Sequence, residues 1–239
     1  AEAKGTNTTA IGSNAKSTAD GATTLGSGAV ANASNAIAIG LTAKASNNDA
    51  TALGVQSVAS AQNSLAIGKG AEATQIGASA IGTDTRAFGI DSLAVGFQSE
   101  SSGLGSIAVG TNSKAIETDS IAIGYETEST GIRSTSIGSQ TSSTGDSSFA
   151  AGYQAIATGT NSFAIGTGAR SELNDAVAIG TNTVAEYGSR SALNSITIGT
   201  KGNGTADLIL PGLANKPASG TQYLVVDGQG VVSVGEAAQ

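Results

Sequence analysis

The chain has no cysteine, histidine, methionine or tryptophan, only two prolines, and 3% aromatic residues among its 239 positions. Without cysteine there is no disulfide framework and no thiolate metal site. Without histidine the commonest general base and metal ligand is missing, and a serine-rich chain cannot assemble an ordinary Ser-His-Asp arrangement. We therefore expect no enzyme, no cofactor and no metal site. The scarcity of large side chains means that any interior is thin. The formal net charge of −7 argues against nucleic acid, which calls for a basic face. No stretch approaches the length of a membrane span, so this segment is expected to make no direct membrane contact. The chain starts without Met or a signal-peptide pattern, which reads as a fragment or mature segment of something larger.

Alanine, serine, threonine, glycine and asparagine dominate, a composition that raises disorder as the first alternative. A strict period rejects it for residues 7–200. Glycine recurs every fourteenth residue at Gly12, Gly26, Gly40, Gly54, Gly68, Gly82, Gly96, Gly110, Gly124, Gly138, Gly152, Gly166 and Gly180, and a late copy stands at Gly199. Each glycine closes a short tetrad such as Ile37-Ala38-Ile39-Gly40 or Ile121-Ala122-Ile123-Gly124. A fixed period of this kind indicates a solenoid, an architecture that presents surfaces more often than buried pockets.

Five residues before the glycine stands Asn, Asp or Gly in most copies, as at Asn35, Asp49, Asn63 and Gly77, with Arg133 and Ser147 as departures. These residues tolerate left-handed backbone and predict a corner. The glycine predicts a second corner or a close backbone approach. A strand of about four residues fits between them, and a second short strand follows the glycine, as in Ala43-Lys44-Ala45. Coils stacked at about 4.8 Å make a rod of roughly 60 Å.

Strand side chains alternate faces. The residue two before the glycine is always small, as at Ala38, Ala66, Ala94 and Ser136, and the residues three and five after it are mostly Ala, Ser or Thr. These rows fit the inside of a narrow roll. The residue directly before the glycine is large and apolar in all copies but Ala151: Ile11, Leu25, Ile39, Leu53, Ile67, Ile81, Val95, Val109, Ile123, Ile137, Ile165 and Ile179. By alternation this row faces outward, where an exposed apolar stripe drives association. We assign Ile39, Ile67, Ile81, Val95, Val109, Ile123, Ile137, Ile165 and Ile179 to a side-by-side oligomer interface; the opposite assignment places the row inside the roll. The residues four after the glycine, among them Lys44, Glu72, Arg86, Glu100 and Lys114, form a solvated outer face.

The motifs Asn63-Ser64-Leu65-Ala66-Ile67-Gly68, Asp119-Ser120-Ile121-Ala122-Ile123-Gly124 and Asn161-Ser162-Phe163-Ala164-Ile165-Gly166 resemble the head repeats of trimeric autotransporter adhesins, the YadA-like heads, over residues 7 to about 200. The resemblance implies an all-β, left-handed parallel β-roll and a homotrimer. It also implies an extracellular head held by a coiled-coil stalk on the outer membrane of a Gram-negative bacterium. Partners implied are a host extracellular-matrix protein, a cell-surface receptor, or the head itself in autoaggregation and biofilm formation.

The sequence departs from the family twice. The spacing from Gly180 to Gly199 carries five extra residues around Glu186-Tyr187-Gly188-Ser189-Arg190, read as a loop bulging from the final coil. The family's usual neck is missing. Residues 201–239 instead place Tyr223-Leu224-Val225-Val226 and Val231-Val232-Ser233-Val234 around a Gly-rich turn, a hairpin signal that begins a second small β module after the 1–200 head. Similar segments occur in phage-type tail fibres, so a receptor-binding shaft of a phage or predatory-bacterial fibre is the alternative to an adhesin.

Three groups are candidates for a ligand surface. Phe97, Tyr125 and Tyr153 each follow a repeat glycine on alternate coils and form either an exposed adhesive ladder or packing over a corner or trimer edge. Glu126 and Glu128, with Glu100 and Asp119, form either an acidic patch or ordinary solubilising charge; calcium-loop patterns are absent. The loop with Glu186, Tyr187 and Arg190 is either a recognition loop or a cap.

Overall fold

The computed structural model describes residues 1–185, 196–198, 222–226 and 232–236. The chain divides into two units, Ala1–Asn203 and Gly204–Gln239.

The first unit is a parallel β-solenoid, and no helix occurs among the described residues. Each coil contributes one three-residue strand, such as Ile37–Ile39, and one two-residue strand, such as Lys44–Ala45. The strand ahead of the glycine is thus one residue shorter than expected, because the fourth residue already belongs to the turn. Stacking builds two 14-stranded parallel sheets, one from the three-residue strands and one from the two-residue strands. Register is strict: Ile39 pairs with Leu53, Leu53 with Ile67 and Ile67 with Ile81. It survives the five-residue insertion, since Val177, Ala178 and Ile179 pair with Ile196, Thr197 and Ile198.

Both corners turn through left-handed backbone. The expected row five before the glycine is left-handed at Asn35, Asp49 and Asn63, and equally at the two departures, Arg133 and Ser147. A second row, two after the glycine, is left-handed as well, at Thr42, Gln56, Gln98, Glu126 and Gln140 among others. The row was legible in part: Asn14, Gly28, Asp84, Asn112 and Asn182 carry a turn signal, whereas Thr42, Gln56 and Glu126 give none of their own. Coil-to-coil hydrogen bonds hold these residues in place: Thr42 N donates to Ser27 O at 2.9 Å and Gln56 N to Leu41 O at 2.8 Å. The neighbouring coil therefore satisfies these corner amides as it does strand amides.

The interior is as thin as the composition requires. In one coil Ala36, Ala38, Ala43 and Ala45 are all completely buried, and the largest fully buried side chains anywhere in the described roll are threonines. Between residues 85 and 148 serine and threonine replace much of the alanine. Their hydroxyls bond across the interior, as between Ser101 and Ser106 or Ser129 and Ser134, both at 2.6 Å. Ser92 and Ser134 also donate to the corner carbonyls of Gly89 and Gly131 at 2.7 Å.

In the second unit Gln222–Val226 and Val232–Glu236 pair antiparallel, with Leu224 opposite Val234, which is the hairpin expected from the sequence.

Candidate interaction surfaces

Side-chain alternation gives the two sheets opposite outer faces. On the three-residue sheet the central Ala or Ser points inward and both flanking residues point outward. The residue before the glycine is therefore outside the roll, as at Ile11, Leu25, Leu53, Ile123 and Ile137, all exposed, and Ile39, Ile67, Ile81, Val95, Val109, Ile165 and Ile179, all partly exposed. None of these side chains is buried within the chain.

A second apolar column lies beside it on the same face, three before the glycine. It includes Ile37, Leu65, Leu93, Ile107, Ile121, Phe149, Phe163 and Val177. Phe149 and Phe163 stack with centroids 4.9 Å apart and planes 18° from parallel. The sequence reading used only one column. The same two-residue alternation that placed Ile39 outside also places Ile37 there, so the signal was present. Thr23, Thr51, Ser79 and Thr135 interrupt this column and mask its periodicity.

The two-residue sheet turns a mostly polar face outward, broken by the half-buried Val30, Val58, Ile156 and Val184. Its outer row runs Glu72, Arg86, Glu100, Lys114, Glu128 in strict pairing, so Arg86, Glu100 and Lys114 each have an opposite charge on both neighbouring coils. Arg86 and Glu100 are 3.7 Å apart. Like charges stacked in register destabilise a sheet and opposite charges support it, which accounts for the alternation.

The glycine corner carries the aromatic candidates. Phe97, Tyr125 and Tyr153 are 47%, 50% and 49% exposed at equivalent places on every second coil. Beside them the second left-handed row forms a polar ladder: Gln140 Nε2 donates to Glu126 Oε2 at 2.9 Å, and Gln154 Nε2 donates to Gln140 Oε1 at 3.1 Å. The Gln140 amide, with help from the Tyr125 hydroxyl, holds the Glu126 carboxyl below its usual range. The same contact with Glu126 raises Tyr125 above the usual tyrosine range. Glu126 thus has amide and hydroxyl partners, and Glu128 lies in register with Lys114. No group of three or more acidic, His or Cys side chains suited to a metal ion occurs among the described residues. The opposite corner exposes another apolar row, Ile76, Ile90, Leu104 and Ile132, six before the glycine, which sequence reading did not single out. Glu186, Tyr187 and Arg190 lie outside the described residues.

No curated protein matches the chain. The family model of the YadA head domain repeat (2 copies) matches residues 3–29, 45–71, 73–99, 101–127, 129–155, 143–169 and 157–183. These matches cover more than half of the sequence and follow the roll just described; the chain therefore belongs to the YadA head family, and its roll is an adhesin-type head.

Proposed function

We propose that the chain is the adhesive head of a homotrimeric surface protein on the outer membrane of a Gram-negative bacterium. In this role it attaches the cell to host matrix or receptors, or to other heads in autoaggregation. The observation that carries the proposal is the two-column apolar face, unpartnered within one protomer and set opposite a charged face. Burying each Ile, Leu or Phe of that face contributes roughly 1.5–3 kcal/mol, and side-by-side packing of three rolls removes it from water while leaving the charged sheets and glycine corners outside. Rigid rolls without a deep enclosed cavity suit contact with extended partners. Nothing in the proposed role calls for a catalytic residue or cofactor. The separate hairpin unit of Gln222–Val226 and Val232–Glu236 favours one other reading, a receptor-binding fibre shaft built on the same head.

Retention of the chain on immobilised collagen, fibronectin and laminin, measured beside its autoaggregation, tests the proposal. Saturable retention or aggregation is expected; failure in both, by a correctly folded oligomer, overturns it.

A further inference from the structure

Two depressions lie end to end on the outside of the roll. One, of about 630 Å³, runs from Glu126 to Asn182, and the other, of about 320 Å³, from Gln98 to Glu128. They share Glu126 and Glu128 and so make one groove parallel to the stacking axis. Six coil steps at about 4.8 Å give it a length near 29 Å. One wall is the ladder two after the glycine, with Gln98, Asn112, Glu126, Gln140 and Gln154; the other is the outer row four after it, with Lys114, Glu128, Ile156 and Arg170. The main chain between them, at Thr127 and Thr141, is the floor, and the side chains of both threonines are buried in the roll. Small residues open the groove: the first wall lapses at Gly168 and the second at Ser142.

The ladder has a direction. A carboxylate only accepts, so Glu126 fixes the Gln140 NH₂ toward itself, and the Gln140 oxygen then takes the Gln154 NH₂. The next coil offers Gly168, which has no side chain to meet the Gln154 oxygen. Each amide also keeps a second N–H for a ligand. Adjoining this wall in the chain, and outside the lining of the groove itself, are the half-exposed Phe97, Tyr125 and Tyr153, two coils apart, or about 9.6 Å, close to the length of one disaccharide unit in an extended chain. The Tyr125 hydroxyl contacts Glu126, which ties the aromatic row to the wall.

We propose that this groove binds a linear, uncharged glycan. The Gln140 and Gln154 amides hydrogen-bond its hydroxyls, and Tyr125 and Tyr153 stack on sugar faces at every second coil. The proposal rests on the adhesive-head reading and names the ligand class for it. Charge selects against polyanions, because Glu126 and Glu128 balance Lys114 and Arg170 along the walls. An extended peptide is disfavoured as well. Strand addition needs spare main-chain groups, and the strands lining the groove are already paired on both sides, as Glu128 is with Lys114 and Ser142. Side-chain amides and hydroxyls between aromatic faces are what a polyhydroxylated chain with apolar ring faces requires.

Calorimetric titration of the full chain with cellohexaose and hexa-N-acetylchitohexaose tests the proposal. Both are neutral β-1,4-linked hexasaccharides. Binding is expected, weakened about tenfold by Tyr125→Ala with Tyr153→Ala, and abolished by Ser142→Arg. That last change adds a long side chain on an outer row that already carries Arg86 and Arg170, so its thermal transition should match the unchanged protein. The proposal is overturned if neither hexasaccharide binds, if Ser142→Arg binds as well as the parent, or if heparin occupies the groove and is lost with the same variants. Adhesion to immobilised matrix protein separates the two readings. Adhesion that persists in the parent and in Ser142→Arg, without hexasaccharide binding, removes the groove and leaves the head. Hexasaccharide binding by a chain that neither adheres nor aggregates removes the head and leaves the groove.

Discussion

The α-carbon of Gly96 faces the carbonyl oxygen of Gly110 on the next coil so closely that a β-carbon there would lie 2.6 Å from it. The backbone at Gly96 also has a φ of +127°, a region that other residues rarely adopt. The period visible in the sequence is thus set by two constraints at once, left-handed backbone and main-chain stacking.

Gly96→Ala should therefore destabilise the protein by at least about 2 kcal/mol. Gly105 is the control. Its φ is +64°, equivalent corners carry Asp91 and Asp119, and an added β-carbon would meet only the movable side chain of Asp119, at 2.9 Å. Gly105→Asn should cost below about 1 kcal/mol. Urea unfolding followed by circular dichroism compares the two; equal losses would contradict the stacking explanation.

The interior makes a second demand. Ala122 is completely buried between the two sheets, where the equivalent residue of the next coil is Ser136, which donates to Glu128 O at 2.7 Å. Ala122→Leu forces the sheets apart and should cost about 1–3 kcal/mol or more. Ala122→Ser should be tolerated within about 1 kcal/mol. Melting temperatures of the two variants check this; a leucine accepted without loss would mean that the roll is wider than described.

The corner ladder predicts a titration. Because Gln140 and Tyr125 favour the ionised form of Glu126, its carboxyl should titrate below the ordinary range. The ladder's support is then complete above the ordinary carboxylate pKa and lost as pH falls through the lowered value. Gln140→Leu removes the larger cause and should move the titration upward toward the ordinary value, as followed by carbon NMR of the Glu126 carboxyl. An unchanged midpoint would show that the amide does not hold the carboxylate.

Much of the roll was legible because single positions repeat with little chemical variation. The glycine row, the small residue of Ala38 and its equivalents, and the left-handed corner of Asn35 and Asp49 could each be read along the chain. The column containing Ile37 and Phe163 was harder, because Thr51 and Ser79 interrupt it while keeping the same backbone place. The second left-handed row was partly hidden for a different reason. Asn14, Asp84, Asn112 and Asn182 announce it, but Thr42, Gln56 and Glu126, held in that backbone by neighbouring coils, break the signal between them. The groove was hidden too, since it arises where side chains are missing, at Gly168 and Ser142, and joins residues separated by several coils. The place of Phe97, Tyr125 and Tyr153 beside the glycine was legible, but it left exposure and packing over a corner open. Their partnership with Gln140 and Gln154 was not legible.

The central claim is that the apolar face containing Ile67, Ile123 and Ile165 is covered by two further copies of the chain. Light scattering of the purified chain measures this directly. The account predicts three times the 23.0 kDa chain mass, and dissociation or unfolding when those three residues are replaced by Asp. A monodisperse monomer at micromolar concentration, or a folded trimer that survives the triple replacement, would contradict it.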